Sequence, residues 1–240
     1  MANQLSSKRM IIVCGGKGKR MGKISSRIPK AMIKLDNKTI IEHKLQYYKS
    51  QGISDYIYCV GYKAQMLKSF LRKKKTKGVF NNAGINAGIL KRIFAVREFV
   101  NEDTIISYSD TLAKIKFSKL LKSHKKSKCL ITLVTAPIQN PFGIVKWNKN
   151  KLATSFHEKP TLNHFVGYAV INPKFFDSLT KKIINMRDGL GMIQAINLLI
   201  RKRKANIFTF DGLQLTINSR DDLNKAKTKF KKYFTLDENL

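Results

Sequence analysis

Three things are missing from this 240-residue chain, and each absence closes a class of protein. The longest apolar runs are strand-sized, well short of the ~20 residues that a membrane-spanning helix needs. The start Met1-Ala2-Asn3-Gln4-Leu5-Ser6 carries no apolar stretch of the kind found in secretory signals, which predicts a cytoplasmic protein. Cysteine is sparse: Cys14, Cys59 and Cys129 are odd in number and show no paired spacing, which argues against a disulfide framework or a cysteine-built zinc site. Each lies in or beside an apolar run and reads as a buried structural thiol. His43, His124, His157 and His164 are scattered without helical metal spacing.

Acid is scarce as well, with 15 Asp and Glu against 47 Lys and Arg and a net charge of +32. Such an excess fits nucleic acid, an anionic membrane surface, or anionic small substrates on a lysine-rich chain. The basic residues are spread over Arg72-Lys73-Lys74-Lys75, Lys122 to Lys128, Arg201-Lys202-Arg203-Lys204 and Lys225 to Lys232. Short clusters at the ends of helical patterns are how solvated faces look. This favours the third reading, predicts no specific nucleic acid, and leaves a peripheral contact with anionic membrane open.

What is present is an alternation. Apolar runs at Met10 to Val13, Tyr56 to Val60, Gly78 to Phe80 and Thr104 to Tyr108 alternate with helical patterns at Thr39 to Gln51, from Gly61-Tyr62 to near Lys74, and from Gly88 to Phe99. That order predicts βαβ units and a mostly parallel sheet. The second half crowds strand candidates together, at Leu130 to Val134, Gly143 to Trp147, Leu152 to Phe156 and Val166 to Ile171, which predicts mixed or antiparallel pairing. Helical segments near Met192 to Arg203 and Asp221 to Phe234 flank a further strand at Asn206 to Phe210.

The first strand runs into Cys14-Gly15-Gly16-Lys17-Gly18-Lys19-Arg20-Met21, followed by Pro29-Lys30. Closely spaced glycines let backbone amides approach an anion, and Arg20 and Lys30 add positive charge. A dinucleotide fingerprint needs a third glycine where Met21 stands. A P-loop needs Ser or Thr where Arg20 follows Gly18-Lys19, or where Ile24 follows Gly22-Lys23. What remains, GGxGxRM followed by PK, resembles the signature of the sugar-phosphate nucleotidyltransferases, the nucleotide-sugar pyrophosphorylases.

The resemblance spans about Met10 to Leu223 and is nearest to glucose-1-phosphate cytidylyltransferase-like and heptose-phosphate guanylyltransferase-like members. It implies a single α/β domain over 1–240, with a Rossmann-like doubly wound mixed sheet of the nucleotide-diphospho-sugar transferase type. Residues of about 8–110 would form the nucleotide-binding half, about 111–225 the sugar-phosphate half, and 226–240 a C-terminal helix and tail. Hexapeptide repeats, which form an appended β-helix in some relatives, are absent, so no second acyltransferase activity is expected.

By the same resemblance, Cys14, Gly15, Gly16, Gly18 and Arg20 would hold an NTP, with Arg20, Lys30 and Asp110 catalytic. Ile106 to Thr111 resembles the family's strand ending in Gly-Asp, with Ser109 in place of the glycine; Asp110 and Asn218 would hold Mg²⁺. An Asp at a strand end also caps turns, and Asn218 also reads as a cap beside Ser219. Asn86 and the backbone at Gly88 would line the base pocket. Gly143, Gly167, and the Glu158 and Lys159 of a Glu-Lys-Pro motif would position a sugar 1-phosphate. Many relatives carry Asn where Phe165 stands, which bears on the sugar's identity. Alternatives are a cytidylyltransferase for a non-sugar phosphate such as phosphocholine, or a catalytically silent nucleotide-binding module; a homo-oligomer is left open.

Overall fold

A computed structural model describes Leu5 and residues 7–234; residues 235–240 of the expected C-terminal tail lie outside the described residues. The centre is a seven-stranded sheet in the order β12-β8-β11-β6-β1-β4-β5. Its strands are β1 (Arg9–Val13), β4 (Asp55–Val60), β5 (Gly78–Asn82), β6 (Thr104–Tyr108), β8 (Ile131–Gln139), β11 (Thr161–Ile171) and β12 (Ala205–Thr209). β11 alone runs antiparallel to its neighbours, β6 and β8. A two-residue ladder joins β2 (Lys34–Leu35) to β3 (Lys38–Thr39), and a three-residue ladder joins β7 (Thr111–Ala113) to β13 (Gln214–Thr216).

The helices are α1 (Lys23–Arg27), α2 (Ile40–Ser50), α3 (Ala64–Lys73), α4 (Ile89–Phe94), α5 (Phe117–Ser127), α6 (Lys181–Ile184), α7 (Leu190–Arg201) and α8 (Arg220–Phe234). The inner strands are apolar on both faces because helices cover both. Met10, Ile12, Tyr56 and Tyr58 pack with residues of α2, α3 and α5, while Ile11, Val13, Ile57 and Cys59 pack with residues of α4 and α7. Among these, the fully buried Ile11, Ile12 and Ile57 side chains each contribute about 1.5–3 kcal/mol.

From β1 the chain steps outward through β4 to β5, then returns to lay β6 on the other side of β1. The order reverses there, and in open α/β sheets ligands bind beyond the carboxyl ends of strands at such a reversal. A third cluster lies under this edge: Met21, Ile33, Leu35, Ile40, Leu112, Leu215, Ile217, Leu223, Ala226 and Phe230. It fastens the segment after the glycine-rich loop, β7 and α8 to one another.

The helix expected over Gly88 to Phe99 is divided. α4 ends at Phe94, and tighter three-residue turns, Val96 N to Ile93 O at 3.2 Å and Val100 N to Arg97 O at 3.0 Å, bring both Val96 and Val100 into the core. Cys129 is half-buried, whereas Cys14 and Cys59 are buried as expected. β9 (Ile144–Trp147) and β10 (Ala153–His157) pair with each other as a separate hairpin between β8 and β11.

Candidate active site

The glycine-rich loop is rooted between two strands. Cys14 N donates to Cys59 O at 3.0 Å, and Ser109 N donates to Val13 O at 3.1 Å, so the segment carrying Asp110 starts beside the loop. Gly18 takes a left-handed conformation (φ 62°) that L side chains disfavour, and Met21 N donates to its carbonyl at 2.8 Å. That turn sends Met21 into the third cluster and leaves Arg20 exposed. A side chain at Gly16 would meet nothing within 4 Å, which leaves its backbone open to an approaching anion. Gly15 differs: a Cβ there would collide with the Arg92 guanidinium and the Val60 backbone, so its missing side chain is filled by protein. Burial, followed by neighbouring Cys59, pushes the Cys14 thiol up against the opposing pull of Arg92, so Cys14 stays a neutral thiol.

Lys30 sits where charge converges. Pro29 precedes a tight turn closed by Met32 N to Pro29 O at 2.8 Å, which aims Lys30 inward past Gly18. Its Nζ donates to Asp110 Oδ2 at 2.9 Å and to Asn218 Oδ1 at 2.9 Å. Arg20 Nη2 donates to the same Asn218 oxygen at 3.2 Å. Residues about a hundred positions apart therefore surround one point at the carboxyl edge of β1 and β6.

Asn218 reaches that point because it is relieved of capping. Ser219 Oγ accepts from Asp222 N at 3.1 Å, and Asp222 Oδ2 accepts from Asn218 N and Ser219 N, each at 2.9 Å. The start of α8 is thus satisfied by Ser219 and Asp222. Partial burial opposes the Asp222 charge, but the amides of Asn218 and Ser219 and the Ser219 hydroxyl outweigh it and hold this carboxyl below its usual range. Asp110 is placed from the other side, with its carbonyl accepting from Ile217 N at 2.8 Å. Thr216 lies close by, its hydroxyl 3.1 Å from that of Thr111.

Asp110 and Asn218 also pass a chemical test for Mg²⁺. Both present hard oxygens, and those oxygens already converge on one cation, the Lys30 ammonium. Among the described residues no cluster of three or more His, Cys, Asp or Glu is formed. Two protein oxygens suit Mg²⁺, which keeps several waters and takes substrate phosphates as ligands.

Beneath β7 lies a feature that the sequence pattern did not single out. Lys44 on α2 is 1% exposed; its ammonium donates to the Thr111 carbonyl and to Tyr168 Oη at 2.7 Å, and stands 4.6 Å from the centre of the Tyr168 ring. Tyr48 Oη links Ser107 Oγ (2.6 Å) to Tyr168 Oη (3.0 Å). This buried network fixes the backbone next to Asp110. In the sequence Lys44 sits one position before Leu45 in the apolar stripe of α2, where a long side chain reads as surface.

The segment from Gly84 to Gly88 faces the loop. Lys17 Nζ donates to Asn86 Oδ1 at 2.9 Å, a bridge between the two that sequence reading missed. Gly88 is buried at the head of α4, where a Cβ would press within 2.9 Å of the Asp188 carbonyl and closer still to that of Met186.

The remaining residues stand apart. Gly167 (φ 82°) forms the irregularity in β11 and lies against Thr111 and Tyr108, next to the Asp110 edge. Phe165 meets Tyr108 edge to face at 5.7 Å, and burial, with a smaller push from Asp110, raises the Tyr108 phenol so that it stays a donor. Gly143 leaves room for Phe156 and for Glu158, whose Oε2 would be 3.0 Å from its Cβ. Glu158 and Lys159 are 60% and 58% exposed and pair with each other at 3.7 Å.

A family model described as nucleotidyl transferase matches residues 9–211. A Bacillus subtilis protein named as a probable glucose-1-phosphate cytidylyltransferase is 25% identical over 199 residues, covering 72% of this chain and 78% of its own. A D-glycero-alpha-D-manno-heptose 1-phosphate guanylyltransferase of Campylobacter jejuni is 29% identical over 218 residues, covering 88% and 95%. The crystal structure of HddC from Yersinia pseudotuberculosis superposes with a TM-score of 0.71 at 19% identity, over 93% of this chain and all of that one. With more than four-fifths of its length under the family model, on this sheet and with this loop, the chain belongs to the nucleotidyl transferase family.

Proposed function

We propose that the protein joins an NTP to a sugar 1-phosphate, releasing pyrophosphate and an NDP-sugar. The observation that carries this is the meeting of Lys30, Arg20, Asp110 and Asn218 at the carboxyl edge of β1 and β6, beside an open Gly16. The relatives above are named for sugar 1-phosphates, which favours a sugar over choline phosphate as acceptor.

In this reading an anionic oxygen of the sugar phosphate attacks the α-phosphorus in line. A new oxygen–phosphorus bond forms as the bond to the β-phosphate oxygen breaks, and pyrophosphate leaves with the electron pair. The protein's part is alignment and neutralisation. The amides around Gly16 and Gly18 and the Arg20 guanidinium hold the triphosphate. Lys30 offsets charge that grows on the α-phosphate oxygens, exchanging its contacts with Asp110 and Asn218 for the substrate. Mg²⁺, when bound through Asp110 and Asn218, supplies further charge neutralisation for the phosphates. Asn86 contacts the base. Glu158 accepts from sugar hydroxyls, Lys159 pairs with the sugar phosphate, and Gly143 and Gly167 let the sugar lie close to the backbone.

Among the described residues no helix is long and apolar enough to cross a membrane. A cytoplasmic setting, where NTPs and sugar phosphates are met, supports a supply of activated sugar for polysaccharide or other glycan synthesis. A pyrophosphate-release screen that crosses the common NTPs with sugar 1-phosphates, with and without Mg²⁺, tests the reading. Release is expected for at least one pair and only with both substrates present. No release for any pair, or release with choline phosphate alone, would overturn it.

A further inference from the structure

Arg92 places a buried guanidinium directly under the glycine-rich loop. It points inward from α4 between Leu90 and Ile93 and is 3% exposed. Its Nη1 donates to the Val60 carbonyl at 2.6 Å, at the end of β4. Its Nη2 donates to the Ile85 carbonyl at 3.3 Å, in the segment that carries Asn86.

Two glycines make room for it. A Cβ on Gly15 would stand 2.7 Å from the Arg92 Cζ, and one on Gly61 would stand 2.6 Å from it, with each closer still to Nη1. Gly61 directly follows β4 and Gly15 lies two residues beyond β1, its parallel neighbour; Tyr62 N donates to Gly15 O at 3.0 Å. The guanidinium therefore touches the phosphate loop, the end of β4 and the base-side segment together.

Its charge has no carboxylate partner among the described residues: those paired with a base are Glu42, Asp55, Glu102, Asp103, Asp110 and Glu158, and none pairs with Arg92. Burial pulls its pKa down, with Cys59 and Cys14 opposing, and a guanidinium remains protonated through such a shift. A buried cation without a counter-ion is costly unless an anion completes it. The bonds from Nη1 and Nη2 engage two of its five N–H donors.

We infer that Arg92 is a positioning residue of the nucleotide site: it locks the Gly84 to Gly88 segment to the phosphate loop, and its charge is answered by the triphosphate. This rests on the nucleotidyltransferase reading above. It assigns Gly15 and Gly61 to the guanidinium and leaves Gly16 and Gly18 to the ligand. It also separates two contributions, since the charge acts on the phosphates whereas the fork of donors orders the segment beside the base.

The test uses the full-length wild type, Arg92→Lys and Arg92→Met, with melting temperatures recorded and steady-state kinetics at varied NTP and varied sugar 1-phosphate. Arg92→Met is expected to raise KM for the NTP about tenfold or more while KM for the sugar phosphate stays within about twofold. Arg92→Lys, which keeps the charge without the fork, is expected to restore binding of inorganic tripolyphosphate, measured by calorimetry, to within about threefold of wild type while losing selectivity among NTPs. A folded Arg92→Met with unchanged KM for the NTP, or with equal rises for both substrates, would overturn the inference. If Arg92→Met does not fold, Arg92→Lys decides: unchanged base selectivity overturns it. Wild type that binds neither NTP nor tripolyphosphate would instead bring down the nucleotide reading and this inference with it.

Discussion

The two sides of the proposed site, one for the nucleotide and one for the sugar phosphate, differ in how far the fold encloses them. On the nucleotide side, the strands that carry the loop and Asp110 are buried along nearly their whole length, and the charged groups have partners at 2.9 to 3.2 Å. On the sugar side, β9 and β10 are almost wholly exposed, and β8 and β11 are exposed where they pair with each other beyond the reach of β6 and β12. Trp147, Leu152 and Phe156 face solvent there, and Glu158 and Lys159 have each other. The difference follows from where the sheet gives cover. In the proposed reading polyphosphate is held by backbone and fixed charge, which must be ordered before the ligand arrives. The hairpin has no such enclosure, and its polar groups are free to be rearranged by a substrate.

Substitutions that break the nucleotide side are expected to stop chemistry without unfolding the chain. Asp110→Ala should lower kcat by about a thousandfold or more, since it removes the carboxylate opposite Lys30 at the point of reaction. Its melting temperature should stay within a few degrees, because Asp110 anchors its surroundings through its backbone carbonyl. Pyrophosphate release and thermal unfolding check both halves, and near-normal turnover would remove Asp110 from the mechanism. Lys30→Met should cost about a hundredfold in kcat, as expected for one preorganised donor to developing charge. A rise in KM alone would make Lys30 a binding group only.

On the sugar side the same logic predicts a different kinetic signature. Glu158→Gln retains size and one acceptor but removes the charge, and should raise KM for the sugar 1-phosphate about tenfold while KM for the NTP hardly moves. An exposed residue bonded chiefly to Lys159 should leave the melting temperature unchanged. Equal effects on both substrates would erase the contrast between the two sides.

Both sides were legible in the sequence to different depths, for physical reasons. The apolar runs around Ile11, Ile57 and Ile106 announced themselves because strands covered on both faces admit little else, and Thr104–Tyr108 falls where the pattern placed it. GGxGxRM was readable because each part answers a local demand: a left-handed turn at Gly18, an anchor at Met21, an outward charge at Arg20. The separation of β9 and β10 from the main sheet was not readable, since alternation reports a strand without naming its partner. Lys44 and Arg92 were missed because a buried cation has no periodicity; only the glycines after β1 and β4 hint that something bulky lies between them. Asn218 reads in the sequence as either cap or ligand; in the fold Ser219 and Asp222 take the cap and the Asn218 side chain faces Lys30.

The smallest effect concerns what holds the nucleotide side stiff. α2, which brings in Lys44 and Tyr48, begins with a reciprocal cap: Glu42 N donates to Thr39 Oγ1 at 3.3 Å, and Thr39 N donates to Glu42 Oε2 at 2.8 Å. Partial burial opposes the Glu42 charge, but the Lys74 ammonium at 2.7 Å and the Thr39 amide and hydroxyl outweigh it, holding the carboxyl at about 2 against an ordinary 4.5. A carboxyl depressed on folding contributes stability that is complete above its unfolded value and lost as it protonates in the folded state. Glu42→Gln should therefore destabilise the protein by about 1 kcal/mol near neutral pH. That deficit should shrink as pH falls from 4.5 towards 2, because the wild type then loses the same charge. Urea midpoints of both proteins across this range check it. A deficit that stays constant with pH would assign the effect to hydrogen-bond geometry alone, and a rise in KM for the sugar 1-phosphate in this variant would show that the exposed hairpin depends on the rigid side after all.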